Sequence, residues 1–133
     1  MDTNVGMNYS FPTNSTKITK VIGIGGGGVN AVDYMYESGI HGVNFAVCNT
    51  DKQSFDDVNV PVKVVLGAGL GAGGQPAKGR EEFEKSAAEV EKLLDDGTSM
   101  VFITTGMGGG TGSGAGPLLA KMAKAKGLLT VGI

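Results

Sequence analysis

A run of glycines at residues 106–116 constrains the fold of this 133-residue chain more than any other stretch, since seven of its eleven residues are glycine. Glycine weakens helices and strands alike. The run nevertheless separates an apolar stretch at 100–103, typical of a buried strand, from residues 118–126, which are typical of a helix. In such a loop the backbone N–H groups can surround an anion, and the N-terminus of the next helix adds positive charge. The sequence therefore predicts an anion site here.

The residue types within this run favour a phosphate-binding loop. Thr111 and Ser113 place hydroxyl donors among the glycines. The first lysine after the run is Lys121, so the spacing G-x-x-x-x-G-K-[ST] of the Walker P-loop is absent. A flexible linker is the plain alternative, but a strand and a helix that pack together need a tight connection.

Strand and helix patterns alternate along the rest of the chain. Short apolar strands are predicted at 18–24, 43–48, 60–66, 100–105 and 128–133, with helices after residue 28, at 76–94 and at 118–126. Pro61 suits either an edge position or a strand start for the third strand. Because the strands are almost continuously apolar, we expect a sheet that is covered on both faces. The predicted fold class is α/β, a Rossmann-like parallel sheet with helices on both faces, truncated after about five strands.

The domain organisation is predicted from the two ends of the sequence. Residues 1–16 are polar and lack periodicity, which predicts a flexible N-terminal tail. Residues 17–133 form the predicted partial nucleotide-binding domain. The sequence stops directly on the fifth predicted strand, which indicates a fragment.

Four loops should meet at one edge of the predicted sheet. In a parallel sheet with right-handed crossovers, the loops that follow the strands all open at the carboxyl edge. Residues 25–30, 49–51, 71–75 and 106–113 are such loops, and three of them are rich in glycine. Their convergence is the strongest physical argument in the sequence for a nucleotide site.

Charge and composition exclude several classes of protein. A net charge of −2 argues against general nucleic-acid binding, which needs a basic face. Cys48 is the single cysteine, so no disulfide framework is expected and the compartment is predicted to be reducing. No apolar stretch reaches the roughly 18 residues of a membrane span, and the N-terminus lacks a signal-peptide pattern. The prediction is a cytoplasmic protein with no nucleic-acid partner and no direct membrane insertion.

A dinucleotide-binding domain of an NAD-dependent dehydrogenase is the main alternative from the residues alone. Residues 23–28 satisfy G-x-G-x-x-G after a strand, and Asp51 could bind a ribose. That fold has no need for a second, larger phosphate loop after the fourth strand, whereas a nucleoside triphosphate gripped from several loops does. The role of Asp51 is left undecided, since its position suits a turn residue as well as it suits a ribose or magnesium ligand.

The motifs together resemble a known family. Residues 108–114, Gly-Gly-Gly-Thr-Gly-Ser-Gly, resemble the signature of the tubulin superfamily. The turn at 21–28 with Asn30, the turn at 49–51 and the Gly-Leu-Gly-Ala-Gly stretch at 69–73 are similar to the FtsZ family of bacterial cell-division GTPases. The resemblance covers residues 17–133 and consists of several independent motifs in the right order.

This resemblance implies GTP binding and hydrolysis, coupled to head-to-tail polymerisation into the protofilaments of the division ring. It implies GTP or GDP with Mg²⁺ as ligands, further copies of the chain as partners, and other division-ring proteins as further partners. Asp51 would lie near the phosphates and the magnesium ion, as the metal-linked residue. The nucleotide-binding residues implied by motif match are Gly26, Gly27, Gly28, Val29, Asn30, Asp51, Gly71, Ala72, Gly73, Gly74, Gly109, Gly110, Thr111 and Gly112.

No catalytic residue is assigned within this chain. In the family, the guanine-reading residue, the ribose contacts and the acidic loop that completes the neighbouring subunit's site correspond to positions beyond Ile133. The resemblance therefore implies that these 133 residues alone hydrolyse GTP weakly or not at all. A non-catalytic module that joins filaments is the remaining alternative.

Overall fold

The structure is a computed structural model, and it describes residues 18–106 and 109–133. The predicted tail at residues 1–16 lies outside the described residues. Five parallel strands form one sheet in the order β3-β2-β1-β4-β5. The strands are β1 (Ile18–Ile24), β2 (Val43–Asn49), β3 (Lys63–Val65), β4 (Thr98–Thr105) and β5 (Leu129–Gly132).

Four α-helices and one short 3₁₀ helix connect these strands. The helices are α1 (Gly25–Glu37), α2 (Pro76–Lys85), α3 (Ala87–Leu94) and α4 (Gly110–Ala125), and the 3₁₀ helix spans Lys52–Phe55. In the described part of the chain, none of these helices is both long enough and apolar enough to cross a membrane.

The central strands β1 and β2 are buried on both faces, as their apolar sequences predict, whereas β5 at one edge is largely exposed. Side chains of a strand alternate between the faces, so Ile22 and Ile24 of β1 pack with Leu119 of α4 in one cluster. Val21 packs with Val32 of α1 in the cluster on the other side. The predicted α/β fold with a parallel sheet is confirmed.

Two of the three glycine-rich runs begin helices, which corrects the sequence-based boundaries. Residues 25–28 were expected to form a loop, and they are the first turn of α1. The run at 106–116 was expected to remain a loop up to residue 117, but α4 already begins at Gly110. The reason is close packing: a Cβ atom on Gly114 would lie 2.0 Å from the carbonyl oxygen of Pro76 in α2. Tertiary contact therefore outweighs the low helix propensity of glycine.

The predicted helix at 76–94 is divided at Ser86 into α2 and α3. The Ser86 hydroxyl accepts a hydrogen bond from the Gly67 N–H (2.9 Å) and donates one to the Val65 carbonyl (3.4 Å). Serine hydroxyls readily form hydrogen bonds with backbone groups. These two bonds hold the junction between α2 and α3 against the end of β3.

The third strand is shorter than the predicted 60–66 and occupies an edge position. Pro61 has no N–H group to donate to a ladder. Pairing with β2 therefore begins at Lys63, although the Val62 carbonyl still accepts the Val47 N–H at 2.9 Å.

Candidate functional site

A cavity of about 260 Å³ lies at the carboxyl ends of β1 and β4. The strand order reverses direction between these two strands, and open α/β sheets bind ligands at that point. Among the described residues, glycine forms almost the whole cavity wall, and Thr111 is the lining residue with a side-chain hydroxyl. The lining residues are Gly25, Gly26, Gly27, Gly106, Gly109, Gly110, Thr111 and Gly112.

Two helix N-termini meet at this cavity. Helix α1 follows Ile24 and α4 follows Gly109, and neither of these residues caps its helix with a side-chain hydrogen bond. Neither helix has an acidic residue in its first turn. The first N–H groups of a helix have no partner within it and carry the positive end of its dipole. The cavity is therefore built to receive an anion such as phosphate.

The two helix starts can approach this closely only because both lack side chains there. A Cβ atom on Gly27 would lie 3.0 Å from the Cα atom of Gly106. Gly25 has a φ of +78°, and a Cβ atom on it would lie 2.9 Å from the backbone nitrogen of Gly112. A side chain at position 27 would push α1 away from the segment after β4, and one at position 25 would push it away from α4.

Some of the predicted residues lie behind the cavity wall. A Cβ atom on Gly28 would lie 2.3 Å from the Thr104 carbonyl oxygen, so this glycine allows α1 to pack on β4. Val29 is fully buried and packs with Val21 and Val32 in the core. The side chain of Val29 therefore faces the core, and Asn30 is exposed one residue further along α1.

A buried pair of threonines joins the end of β2 to α4. Thr50 and Thr111 are almost completely buried, and their hydroxyl oxygens form a short hydrogen bond. Thr50 also donates its N–H to Oδ1 of Asn49 at 2.8 Å. The hydroxyl bond fixes the first turn of α4 relative to the sheet edge.

The loop at residues 67–75 packs along the same edge, beside the cavity. Its backbone is tied to the segment after β2, because Gly71 donates to the Thr50 carbonyl (2.9 Å) and Gly69 accepts the Lys52 N–H (3.1 Å). At its far end the carbonyl carbon of Gly74 would lie 2.8 Å from a Cβ atom on Gly110. The structure thus brings the four predicted loops together.

The predicted residues of this loop, Gly71, Ala72, Gly73 and Gly74, do not line the cavity itself. They lie next to it, and the contact between Gly74 and Gly110 is their link to its wall. Ala72 is buried, whereas Gly73 and Gly74 are exposed. A ligand that extends beyond the cavity could reach them.

Asp51 is exposed and has a clear structural role. Its Oδ1 accepts the N–H of Gln53 at 3.0 Å and so caps the 3₁₀ helix. Residues 18–106 and 109–133 contain no group of three or more His, Cys, Asp or Glu that could hold a metal ion. Asp51 directly follows Thr50, whose hydroxyl contacts the cavity-lining Thr111.

Cys48, close to this edge, is not a reactive thiol. Burial, together with the negative charge of Glu89, raises its pKa to about 12. A thiol with so high a pKa stays protonated at neutral pH and is a poor nucleophile. Cys48 acts as a small core residue beside Ile24 and Leu66.

Three residues that line or support the cavity are not among the residues predicted for the site. Gly25 and Gly106 line the cavity, and Thr50 fixes its wall through Thr111. Both glycines belong to the predicted converging loops, so their position in the sequence was a usable signal. Thr50 also belongs to one of those loops, at 49–51, but its partner Thr111 is 61 residues away in the sequence, and no pattern in the sequence indicates that contact.

Comparisons with known proteins match nearly the whole described chain. The model of the Tubulin/FtsZ family, GTPase domain, matches residues 18–133. The cell division protein FtsZ of Porphyromonas gingivalis is 52% identical over 133 residues, which covers 96% of this chain and 29% of that protein.

Solved structures give the same match. A mutant FtsZ from M. jannaschii superposes with a TM-score of 0.84 at 40% identity and covers 90% of this chain and 37% of its own. CetZ2 from Haloferax volcanii, solved as a GTPγS-bound protofilament, has a TM-score of 0.75 at 28% identity, over 87% of this chain and 39% of its own. The chain spans about a third of the length of the relatives that it matches.

Proposed function

Because this chain belongs to the Tubulin/FtsZ family, whose GTPase-domain model matches residues 18–133, we propose that it forms the phosphate-binding part of a cell-division GTPase. The observation that carries this proposal is the meeting of two uncapped helix N-termini at one glycine-lined cavity. The NAD-dependent dehydrogenase and the non-catalytic filament module find no support in these matches.

The proposed ligand is GTP or GDP, bound mainly through its phosphates. Main-chain N–H groups of Gly26 and Gly27 in α1, and of Gly110 to Gly112 in α4, are donors that suit phosphate oxygens. When bound, Mg²⁺ would neutralise phosphate charge. Asp51 is the residue we propose to assist it. Gly109, Asn30 and residues 71–74 would line the nucleotide, whereas Gly28 and Val29 would support the site through the packing of α1.

Hydrolysis and assembly are proposed from the relatives. CetZ2 was solved as a protofilament with GTPγS, and the P. gingivalis relative is a cell division protein. On this basis we propose head-to-tail polymerisation with further copies of the chain in the cytoplasm, at the division ring. We also propose residues 1–16 as a tail and 17–133 as the partial GTPase domain.

Calorimetric titration of the purified chain with GDP, GTP, guanosine, ADP and NAD in magnesium tests the proposal. We expect GTP and GDP to bind and guanosine to bind far more weakly, because backbone donors recognise the phosphates. Steady-state phosphate release should be at or near background, since the family's acidic loop comes from another subunit. Tight NAD binding with weak GDP binding would overturn the proposal.

A further inference from the structure

Glu82 of α2 is the most deeply buried carboxylate among the described ion pairs. Its side chain is 5% exposed, and Oε2 contacts the ammonium groups of Lys85 (2.9 Å) and Lys78 (3.3 Å). Its other oxygen, Oε1, accepts the N–H of Ala68 at 3.2 Å. A buried carboxylate needs such partners to stay charged.

This carboxylate lies directly beneath the start of the 67–75 loop. A Cβ atom on Gly67 would lie 2.0 Å from Oε1 of Glu82, so the loop backbone passes against the carboxylate. Gly67 has a φ of +66°, a conformation that L side chains rarely adopt. Ser86, one turn further along, accepts the Gly67 N–H at 2.9 Å.

Helix α2, which carries Glu82, packs closely against α4. Its first turn packs on α4 through Gly114, whose Cβ atom would lie 2.0 Å from the Pro76 carbonyl oxygen. A Cβ atom on Gly79 would lie 2.4 Å from the Gly110 carbonyl oxygen. Both ends of the 67–75 loop are therefore held. Glu82 of α2 and Ser86 directly after it contact the start of the loop, and Gly110 of α4 contacts its end.

We propose that Glu82 is a positioning residue for ligand binding: it touches no ligand, but it holds the 67–75 loop against the edge of the phosphate cavity. This inference rests on the function proposed above. Lys85, the Ala68 N–H and Lys78 lower the pKa of Glu82 to about 2 while burial opposes them, so the carboxylate is charged at neutral pH.

The test compares three substitutions in the full chain. Glu82→Ala removes the acceptor of the Ala68 N–H and both ion pairs. Glu82→Gln keeps the side-chain shape and one acceptor oxygen, so it preserves the fold if the alanine variant does not form. Glu84→Gln is the matched control, since Glu84 is exposed on the same helix and the substitution makes the same change of charge.

Two measurements are made on each protein: hydrogen exchange without ligand, and titration with GDP and GTP. For Glu82→Ala we expect amides of residues 67–75 to exchange about tenfold faster, as the loss of a charged hydrogen bond implies, while β1 and α4 keep their protection. Affinity for GTP should fall by about five- to twentyfold on the same grounds. Glu82→Gln should show a smaller change in the same direction, and Glu84→Gln none.

The outcomes separate this inference from the proposed function. Unchanged affinity in Glu82→Ala would overturn the positioning role, and so would faster exchange spread over the whole chain, which indicates a purely structural residue. If the unsubstituted chain binds neither nucleotide, the proposed function fails and the inference fails with it. Loop-limited exchange together with weaker binding would support both.

Discussion

At the scale of single residues, two glycines in one turn of α1 have opposite roles. Gly26 lines the cavity, and a Cβ atom on it would meet nothing within 4 Å. Gly28 is two residues further on, and a Cβ atom there would lie 2.3 Å from the Thr104 carbonyl oxygen. The first glycine keeps space open for a ligand, whereas the second allows helix and strand to touch.

Substitution of these glycines should therefore separate binding from stability. We expect Gly26→Val to leave the urea midpoint close to that of the unsubstituted chain and to weaken GDP binding by about tenfold or more, since the side chain occupies ligand space. Gly28→Ala should cost about 1–3 kcal/mol of unfolding free energy through overpacking. Urea titration and calorimetry on both variants check this, and equal loss of stability in both would contradict it.

At the scale of elements, the bond between Thr50 and Thr111 joins the end of β2 to the first turn of α4. Removing one hydroxyl leaves the other buried without a hydrogen-bond partner, which costs free energy. Replacing both hydroxyls by methyl groups of the same shape leaves no polar group that needs a partner. The two threonines should therefore be energetically coupled.

A double-mutant cycle measures this coupling. We expect Thr50→Val and Thr111→Val each to lower the free energy of unfolding by about 1–3 kcal/mol. The double variant should lose clearly less than the sum of the two. Equilibrium urea unfolding at one pH gives all four values, and strict additivity would show that the hydroxyls do not depend on each other.

The elements also show what could be predicted from the sequence. Short apolar runs bounded by turn residues located all five strands, because such patterns are local in the sequence. Helix starts within glycine runs were missed, since propensity disfavours glycine and the packing that overrides it is not local. In α4 the glycines follow a spacing of four, with Gly110 and Gly114 against α2 and Gly112 and Gly116 against the end of β4. That spacing was the available signal.

The site could be predicted to a similar extent. The convergence of loops follows from parallel topology, so the sequence places Gly26, Gly27 and Gly110 at one edge, where they line the cavity. The hydrogen bond between Thr50 and Thr111 and the ion pairs of Glu82 depend on side-chain geometry between distant segments, which residue type and spacing do not determine.

At the scale of the whole molecule, two carboxylates tie its stability to pH. The pKa of Glu82 is lowered to about 2, and its ordinary value is 4.5. The pKa of Asp96 is also lowered: burial opposes this, but hydrogen bonds from Lys20 and Thr98 outweigh it. A carboxylate with a lowered pKa stabilises the fold above its ordinary pKa, and this contribution is lost as the pH falls through the folded value.

We therefore expect the unfolding midpoint in urea to fall steeply between pH 4.5 and about 2, the interval between the ordinary and folded pKa values of Glu82. Glu82→Gln should be less stable at pH 7 and show a shallower fall over this interval, because it has no proton to take up. Glu84→Gln serves as the control with an unchanged slope. Parallel slopes for all three proteins would contradict the lowered pKa of Glu82.

The glycine wall of the cavity also has a genetic consequence. Its donors belong to the main chain, so no missense change except one to proline, which lacks the N–H group, can delete them, and every residue that replaces glycine is larger. An alanine scan, which elsewhere finds contacts by removing atoms, can only add atoms at these positions. Loss-of-binding alleles here should therefore behave as obstructions, and second-site suppressors should be changes that open space beside them rather than changes that restore a charge.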